Sequence, residues 1–232
     1  AAHARARPVF AEHGRVSDSV TAQTRVLVIC NPNDPTGHHL RATELGALLA
    51  GLPQHVTVLL DEALVQFQDV DAPDACLRLI DAFPKLLVVR TFSKIYGLSG
   101  LRAGYAVGSD PDLLAAVAPA LGVNALTQAA VAHALRTGDR EIERRRQIVI
   151  RERERATEGL RALGADVTPS QANFLWVRSP GMTGDALASA MRRQSLIVAP
   201  GGPLGADDHI RAALLEEGAT NRLVRAYANA VG

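Results

Sequence analysis

Arg90 to Gly108 reads RTFSKIYGLSGLRAGYAVG and holds the densest chemistry in the chain. An apolar run, Leu86 to Val89, leads into it and predicts a buried strand. Thr91, Ser93 and Lys94 follow, then a turn punctuated by Gly97 and Gly100, then Arg102 and a second apolar run from Ala103 to Val107. Hydroxyls, glycines and a guanidinium together can hold a phosphate, and the lysine can present an amine beside it. Only Lys85 and Lys94 are lysines among the 25 Lys and Arg residues. A chain that otherwise uses arginine for positive charge keeps Lys94 for what arginine cannot do. A desolvated amine loses its proton and forms a Schiff base; a guanidinium does neither.

Two more clusters end apolar runs. Arg25 to Asn31 is a short β-branched run that stops at Asn31-Pro32-Asn33-Asp34-Pro35-Thr36-Gly37. Prolines, Asx residues and a glycine make a rigid turn whose side chains project off the strand end. His55 to Asp61 is the next such run, and it terminates in Asp61-Glu62. An acid there could hold a metal in a P-loop ATPase, but the required G-x-x-x-x-G-K-[ST] run is absent from this sequence. The plainer use of Asp61 is as a turn cap.

These residues need elements to position them. Helices are expected over about Arg41–Leu52 and Asp74–Phe83, between the strands. Strand and helix alternating in this way predict βαβ units and a largely parallel sheet. Such a sheet brings the carboxyl ends of its strands to one rim, where ligands bind in open α/β folds. Helices are further expected over Asp110–Ala118, Asn124–Arg136 and Asp139–Leu163. The last is rich in Glu and Arg, which reads as a solvated face, with Ile142, Ile148, Val149, Ala156, Leu160 and Leu163 as an apolar stripe. Beyond it come short strands at Ala165–Val167, Ala172–Val177, Leu196–Val198 and His209–Leu214, and helices at Thr183–Arg193 and Glu217–Ala230. The domain change is placed inside the long helix, giving a partial large domain over 1–143 and a small α+β domain over 144–232. Ala1 to Arg7 reads as the tail of a helix, as expected of a chain whose first part is missing.

Composition narrows the partners. With 232 residues, 47% of them apolar, the chain can bury a sizeable core. A net charge of +1 and 4% aromatics give neither a basic face nor a stacking platform, so nucleic acid is not expected. No apolar segment is long enough to span a bilayer, so no membrane partner is expected either. Cys30 and Cys76 lack metal-ligand spacing and read as reduced thiols of a cytoplasmic protein, with no metal expected.

Four matches in order, NPNDPTG, strand-Asp61-Glu62-Ala63, RTFSKIYGLSGLRAGY and SQANFLWV with HIRAAL, resemble the class I/II aminotransferases, pyridoxal-phosphate enzymes of fold type I. The nearest likeness is to the histidinol-phosphate aminotransferase branch. The resemblance implies an α/β large domain with a small α+β domain, and a homodimer whose subunits complete each other's sites. It implies transfer of an amino group between an α-amino acid and a 2-oxo acid. Lys94 would form the Schiff base with pyridoxal 5'-phosphate and then carry the proton. Asp61 would face the pyridine nitrogen, keeping it protonated so the ring accepts electrons. Ser93 and Arg102, with Thr91 as a third partner, would hold the cofactor phosphate. Arg211 would clamp the substrate carboxylate, supported by Asn173.

The sequence also departs from the family. Asp34 stands where the family usually has the asparagine that donates to the cofactor's phenolic O3′, and Leu64 stands where many members have a second donor, tyrosine. An ionised Asp34 beside a phenolate would be repelled, so it is expected to be protonated or displaced, with the protonated Schiff base favoured. The branch's phosphate-binding arginine is expected after Ile197-Val198, yet Ala199-Pro200-Gly201 follows. Two alternatives stand beside transamination: other pyridoxal-phosphate chemistry on the fold, such as an amino-acid phosphate decarboxylase or an oxidase, and a non-catalytic relative serving as a binding module.

Overall fold

The computed structural model describes residues 6–12, 14–118 and 122–232. Its first sheet comprises β1 (Val26–Cys30), β2 (Thr57–Asp61), β3 (Leu86–Thr91) and β4 (Gly104–Val107) in that spatial order. The β1–β2 and β2–β3 pairs are parallel, and β4 closes the edge antiparallel to β3. Between β1 and β2 runs helix α1 (Ala42–Ala50). Its Leu45 and Leu49 pack with Ile29, Val58, Leu60, Leu86 and Val88 as one apolar core. Val26, Val28 and Val89 lie on the opposite face and are exposed. Parallel sheets are usually covered on both faces, so this face stands out.

Helices α2 (Pro111–Val117) and α3 (Ala125–Thr137) follow, each started by a side-chain cap. Asp110 accepts from the Asp112 and Leu113 amides, and Asn124 from that of Thr127. Helix α4 (Asp139–Ala162) then crosses to a second sheet. That sheet has the order β5 (Asp166–Val167), β6 (Phe174–Arg178), β8, β7, all antiparallel. Here α5 is Gly184–Arg192, β7 is Ala199–Pro200, β8 is His209–Ala213 and α6 is Glu217–Val231. Its core joins α4, α5 and α6 and reaches back to Leu64, Phe67 and Ile95 from the first half of the chain. No helix among the described residues is long and apolar enough to cross a membrane.

Four expectations need correction. The helix expected over Asp74–Phe83 is only a 3-10 turn, Ala75–Leu79. Pro73 and Pro84 hem it in, and so short a segment gains too little from helical bonds to extend. The strand expected at Leu196–Val198 lies at Ala199–Pro200, because β8 pairs there, Ala199 with Arg211 and Pro200 with Ile210. The charged face of α4 is not all solvated: Glu152 and Arg153 are buried. Of the helix tail expected over Ala1–Arg7, residues 1–5 lie outside the described residues, and Ala6 and Arg7 carry no helix.

A buried ion pair ties the ends of β2 and β3. Arg90 Nε donates to Glu62 Oε2 at 2.8 Å, and Glu62 is fully buried. Burial pushes the Glu62 carboxyl up against the pull of Arg90, and burial beside Glu62 pushes the Cys76 thiol up to about 12. Removing one member strands the other charge in the core. Glu62→Ala is therefore expected to cost about 3–5 kcal/mol, whereas replacing both members with methionine costs less than half of that. Urea unfolding midpoints of the two variants check this.

Candidate active site

The register of the parallel strands builds the rim. Cys30 pairs with Asp61, and Asp61 with Val89, so β1 and β2 end level and β3 runs two residues further, to Thr91. Adjacent strands sit about 4.8 Å apart, so the rim from β1 to β3 spans roughly 10 Å. Asp61 Oδ1 accepts from the Ala63 amide at 2.9 Å. No hydrogen bond among the described residues engages its Oδ2. Asp61 thus serves as a turn cap and still has an oxygen to spare.

Beyond β3, Thr91 organises the corner. Its hydroxyl donates to Ala103 O at 3.3 Å and accepts from the Ser93 amide at 3.0 Å. The Ser93 hydroxyl and the Lys94 amine have no hydrogen-bond or ion-pair partner among the described residues, and Lys94 is exposed. Gly97 donates to Lys94 O at 2.9 Å and has φ +73. A side chain there would be strained, and its Cβ would lie 3.0 Å from Arg145 Nη1. Arg102 is left-handed, with φ 52 and ψ 50, a conformation that costs a non-glycine residue about 1 kcal/mol. Its guanidinium donates to Ser99 O at 3.0 Å. A glycine would relieve the strain, so the guanidinium is what this position keeps.

At the end of β1 the turn is stitched shut. Asn31 is buried; its amide side chain donates to Leu40 O at 2.9 Å and its Oδ1 accepts from Leu40 N at 2.7 Å. Asn33 Nδ2 donates to Thr36 Oγ1 at 2.8 Å. Gly37, at φ +75, lies so close to Ser170 that a Cβ would collide with it. Its carbonyl accepts from the Gln171 amide at 2.7 Å. The turn is thereby docked on the second half of the chain.

Asp34 and Arg211 meet across that junction. Arg211 Nη1 lies 3.0 Å from Asp34 Oδ1 and 3.1 Å from Oδ2. The guanidinium sits 4.7 Å over the Phe174 ring. An ion pair with Arg211 thus holds the Asp34 side chain. Burial pushes the Cys30 thiol up, and the carboxylates of Asp61 and Asp34 add to that, so both acids lie near one thiol. Asn173 offers its carbonyl to Leu214 N at 2.9 Å, and no hydrogen bond among the described residues involves its side chain. The structure therefore joins Asp34 to Arg211 and Thr91 to Ser93, and sets Asp61 beside Val89 of β3. Among the described residues no hydrogen bond or ion pair joins Arg102 or Asn173 to the other candidates. Two open grooves, one between α4 and α6 and one at Thr137–Arg144, share no residue with this cluster.

The supporting residues on α4 were not foreseen. Arg145 Nη1 donates to Ile95 O at 2.8 Å, bracing the loop that carries Lys94. Arg153 donates to Phe67 O at 2.9 Å and to Asp69 Oδ2 at 2.8 Å, and the Asp69 amide donates to Gln171 Oε1 at 2.9 Å. One signal was available: Arg153 falls four residues after Val149 and three before Ala156, inside the apolar stripe.

Comparisons with known proteins agree on one family. The sequence model described as aminotransferase class I and II matches residues 13–226. An aromatic amino acid aminotransferase of Mycobacteroides abscessus is 40% identical over 190 residues, covering 81% of this chain and 54% of that protein. Histidinol-phosphate aminotransferase 1 of Nitrosococcus oceani is 39% identical over 210 residues, covering 89% of this chain and 56% of that protein. The solved histidinol-phosphate aminotransferase of Sinorhizobium meliloti, in complex with pyridoxal-5'-phosphate, superposes with a TM-score of 0.75 at 25% identity, covering 89% of this chain and 57% of that one. The chain thus spans about half the length of the relatives it matches.

Proposed function

Because the chain belongs to the class I and II aminotransferases, we propose that the protein moves an amino group between an α-amino acid and a 2-oxo acid, with pyridoxal 5'-phosphate held at the rim. The observation that carries this reading is the unpartnered Lys94 amine in the loop that leaves β3, the strand beside β2, whose end carries the spare oxygen of Asp61. The donor set fits the cofactor: an unpaired amine, a free hydroxyl at Ser93, and a guanidinium at Arg102 kept on a strained backbone. When bound, the cofactor supplies an electron-accepting ring joined to an aldehyde.

The chain's own residues do the rest. Asp61 would hold a proton on the ring nitrogen through the negative charge of its carboxylate, Oδ1 being already engaged by the Ala63 amide. Lys94 would hold the cofactor at its aldehyde group and, as a free amine once substrate has taken its place, would move the proton at the substrate Cα. Ser93 and Arg102 would hold the phosphate, and Thr91, whose hydroxyl accepts from the Ser93 amide, fixes the backbone that carries the Ser93 hydroxyl. Arg211 takes the substrate α-carboxylate, a planar task suited to guanidinium, with Asn173 beside it.

An aromatic amino acid is the favoured substrate class. Relatives named aromatic amino acid aminotransferases support it, and no arginine follows Ile197-Val198 to take a substrate phosphate. The site division at 143/144, the homodimer and the cytoplasmic location belong to the same proposal. Two free thiols, Cys30 and Cys76, support the location. The test is a single turnover of cofactor-loaded protein with L-phenylalanine. One equivalent of phenylpyruvate and the pyridoxamine form of the cofactor are expected. Carbon dioxide or hydrogen peroxide release would instead favour the decarboxylase or oxidase. A protein that stays colourless with added cofactor would favour the binding module.

A further inference from the structure

Arg211 already has a carboxylate. Asp34 offers both oxygens to one guanidinium nitrogen, Nη1, at 3.0 and 3.1 Å. Nothing among the described residues hydrogen-bonds Nη2 or Nε of Arg211. The pair is partly open, its side chains 31% and 39% exposed, so a ligand can reach it. Phe174 lies under the guanidinium, and the stitched 31–37 turn fixes the Asp34 backbone. The Asp34 side chain can rotate; its anchor cannot follow.

We propose that Asp34 is an internal competitor for Arg211, and so sets how strongly the site prefers carboxylate-bearing ligands over carboxylate-free ones. This rests on the reading of Arg211 as the carboxylate-binding residue. A ligand carboxylate arriving at Arg211 must displace Asp34 or share the guanidinium with it. Sharing places two negative charges within a few ångström of each other, and displacement breaks an existing pair. A ligand with an amide or no carboxyl group meets neither obstacle. Asparagine at this position would still accept a hydrogen bond from Arg211 but would carry no competing charge. Asp34 thus narrows a preference that Arg211 alone would make wide. Exposed ion pairs are worth up to about fivefold in an equilibrium, which bounds the effect.

Calorimetry of the cofactor-loaded protein separates the outcomes. The probes are propionate, succinate and 3-phenylpropionate, with 3-phenylpropionamide as the uncharged control. Asp34→Asn is expected to bind at least one carboxylate about three- to fivefold more tightly than the wild type, with the amide unchanged. Asp34→Ser, which also removes the charge, is expected to do the same. Adding Arg211→Gln to Asp34→Asn is expected to erase the gain. If Arg211→Gln weakens carboxylates while both Asp34 variants match the wild type, the competition is overturned and the role of Arg211 stands. If Arg211→Gln changes nothing, or no probe binds Asp34→Asn, the role of Arg211 falls and the competition falls with it. Equal tightening of acid and amide overturns the proposal too, because charge is then not what Asp34 contributes.

Discussion

Lys94→Ala is expected to lower turnover by about 10²–10⁴-fold, the range that a positioned acid–base group supplies. Lys94→Arg is expected to fall as far, because a guanidinium keeps its proton at any working pH. Neither change touches the fold's energetics: the side chain is exposed and has no partner among the described residues. Thermal midpoints should therefore stay close to that of the wild type, within the small range usual for surface sites. Chemistry offers an independent readout. Lys85, the other lysine, is tied to Asp110 at 2.9 Å. Borohydride reduction of cofactor-loaded protein should fix the label on the peptide carrying Lys94 and spare Lys85. Label on Lys85 alone, or a Lys94→Ala protein keeping a tenth of its turnover, would remove the amine from the mechanism.

The rim was legible because its strands advertise themselves. Parallel strands read as unbroken apolar runs, and the residue type changes abruptly where these runs stop: at Asn31 just after β1, at Asp61 ending β2 and at Thr91 ending β3. Turn chemistry then marked the loops that follow. What the sequence hid is long-range. Asp34 and Arg211 are 177 residues apart, and no local period links a turn aspartate to a charge on a distant strand. Glu152 and Arg153 misled for a related reason. A charge run looks solvated until its partners are known: the packed loops offer Phe67 O and Asp69 to Arg153, and Arg151 and Arg155 of the same helix take Glu152. The 3-10 turn at Ala75–Leu79 was lost to a smaller effect, two flanking prolines acting on a segment too short to resist them.

The same docking explains why the rim is stiff where it carries chemistry. Arg145 braces the loop after Lys94 through Ile95 O, and Arg153 braces the loop after β2 through Phe67 O. Both arginines leave one helix, α4, so the groups at the ends of β2 and β3 share one support. Site groups held by such a scaffold lose little entropy when a ligand arrives.

Asp61→Asn is expected to cost about 10²–10³ in kcat, the usual loss when a preorganised charge at a reacting centre is removed. The geometry makes this an electronic test rather than a structural one. Asp61 Oδ1 accepts from the Ala63 amide at 2.9 Å, and the asparagine carbonyl can take that bond over. The turn survives; only the negative charge goes, which on the proposed reading faces the ring nitrogen. Asp61→Ala removes both, so it should lose as much activity and in addition about 1 kcal/mol of stability, the worth of one hydrogen bond. Comparing the two variants by kcat and by urea midpoint divides the roles. Equal kcat losses with unequal midpoints assign the chemistry to the charge and the fold to the cap. A kcat in Asp61→Asn within threefold of the wild type would leave this carboxylate as a turn cap alone, and another group would have to keep the ring nitrogen protonated.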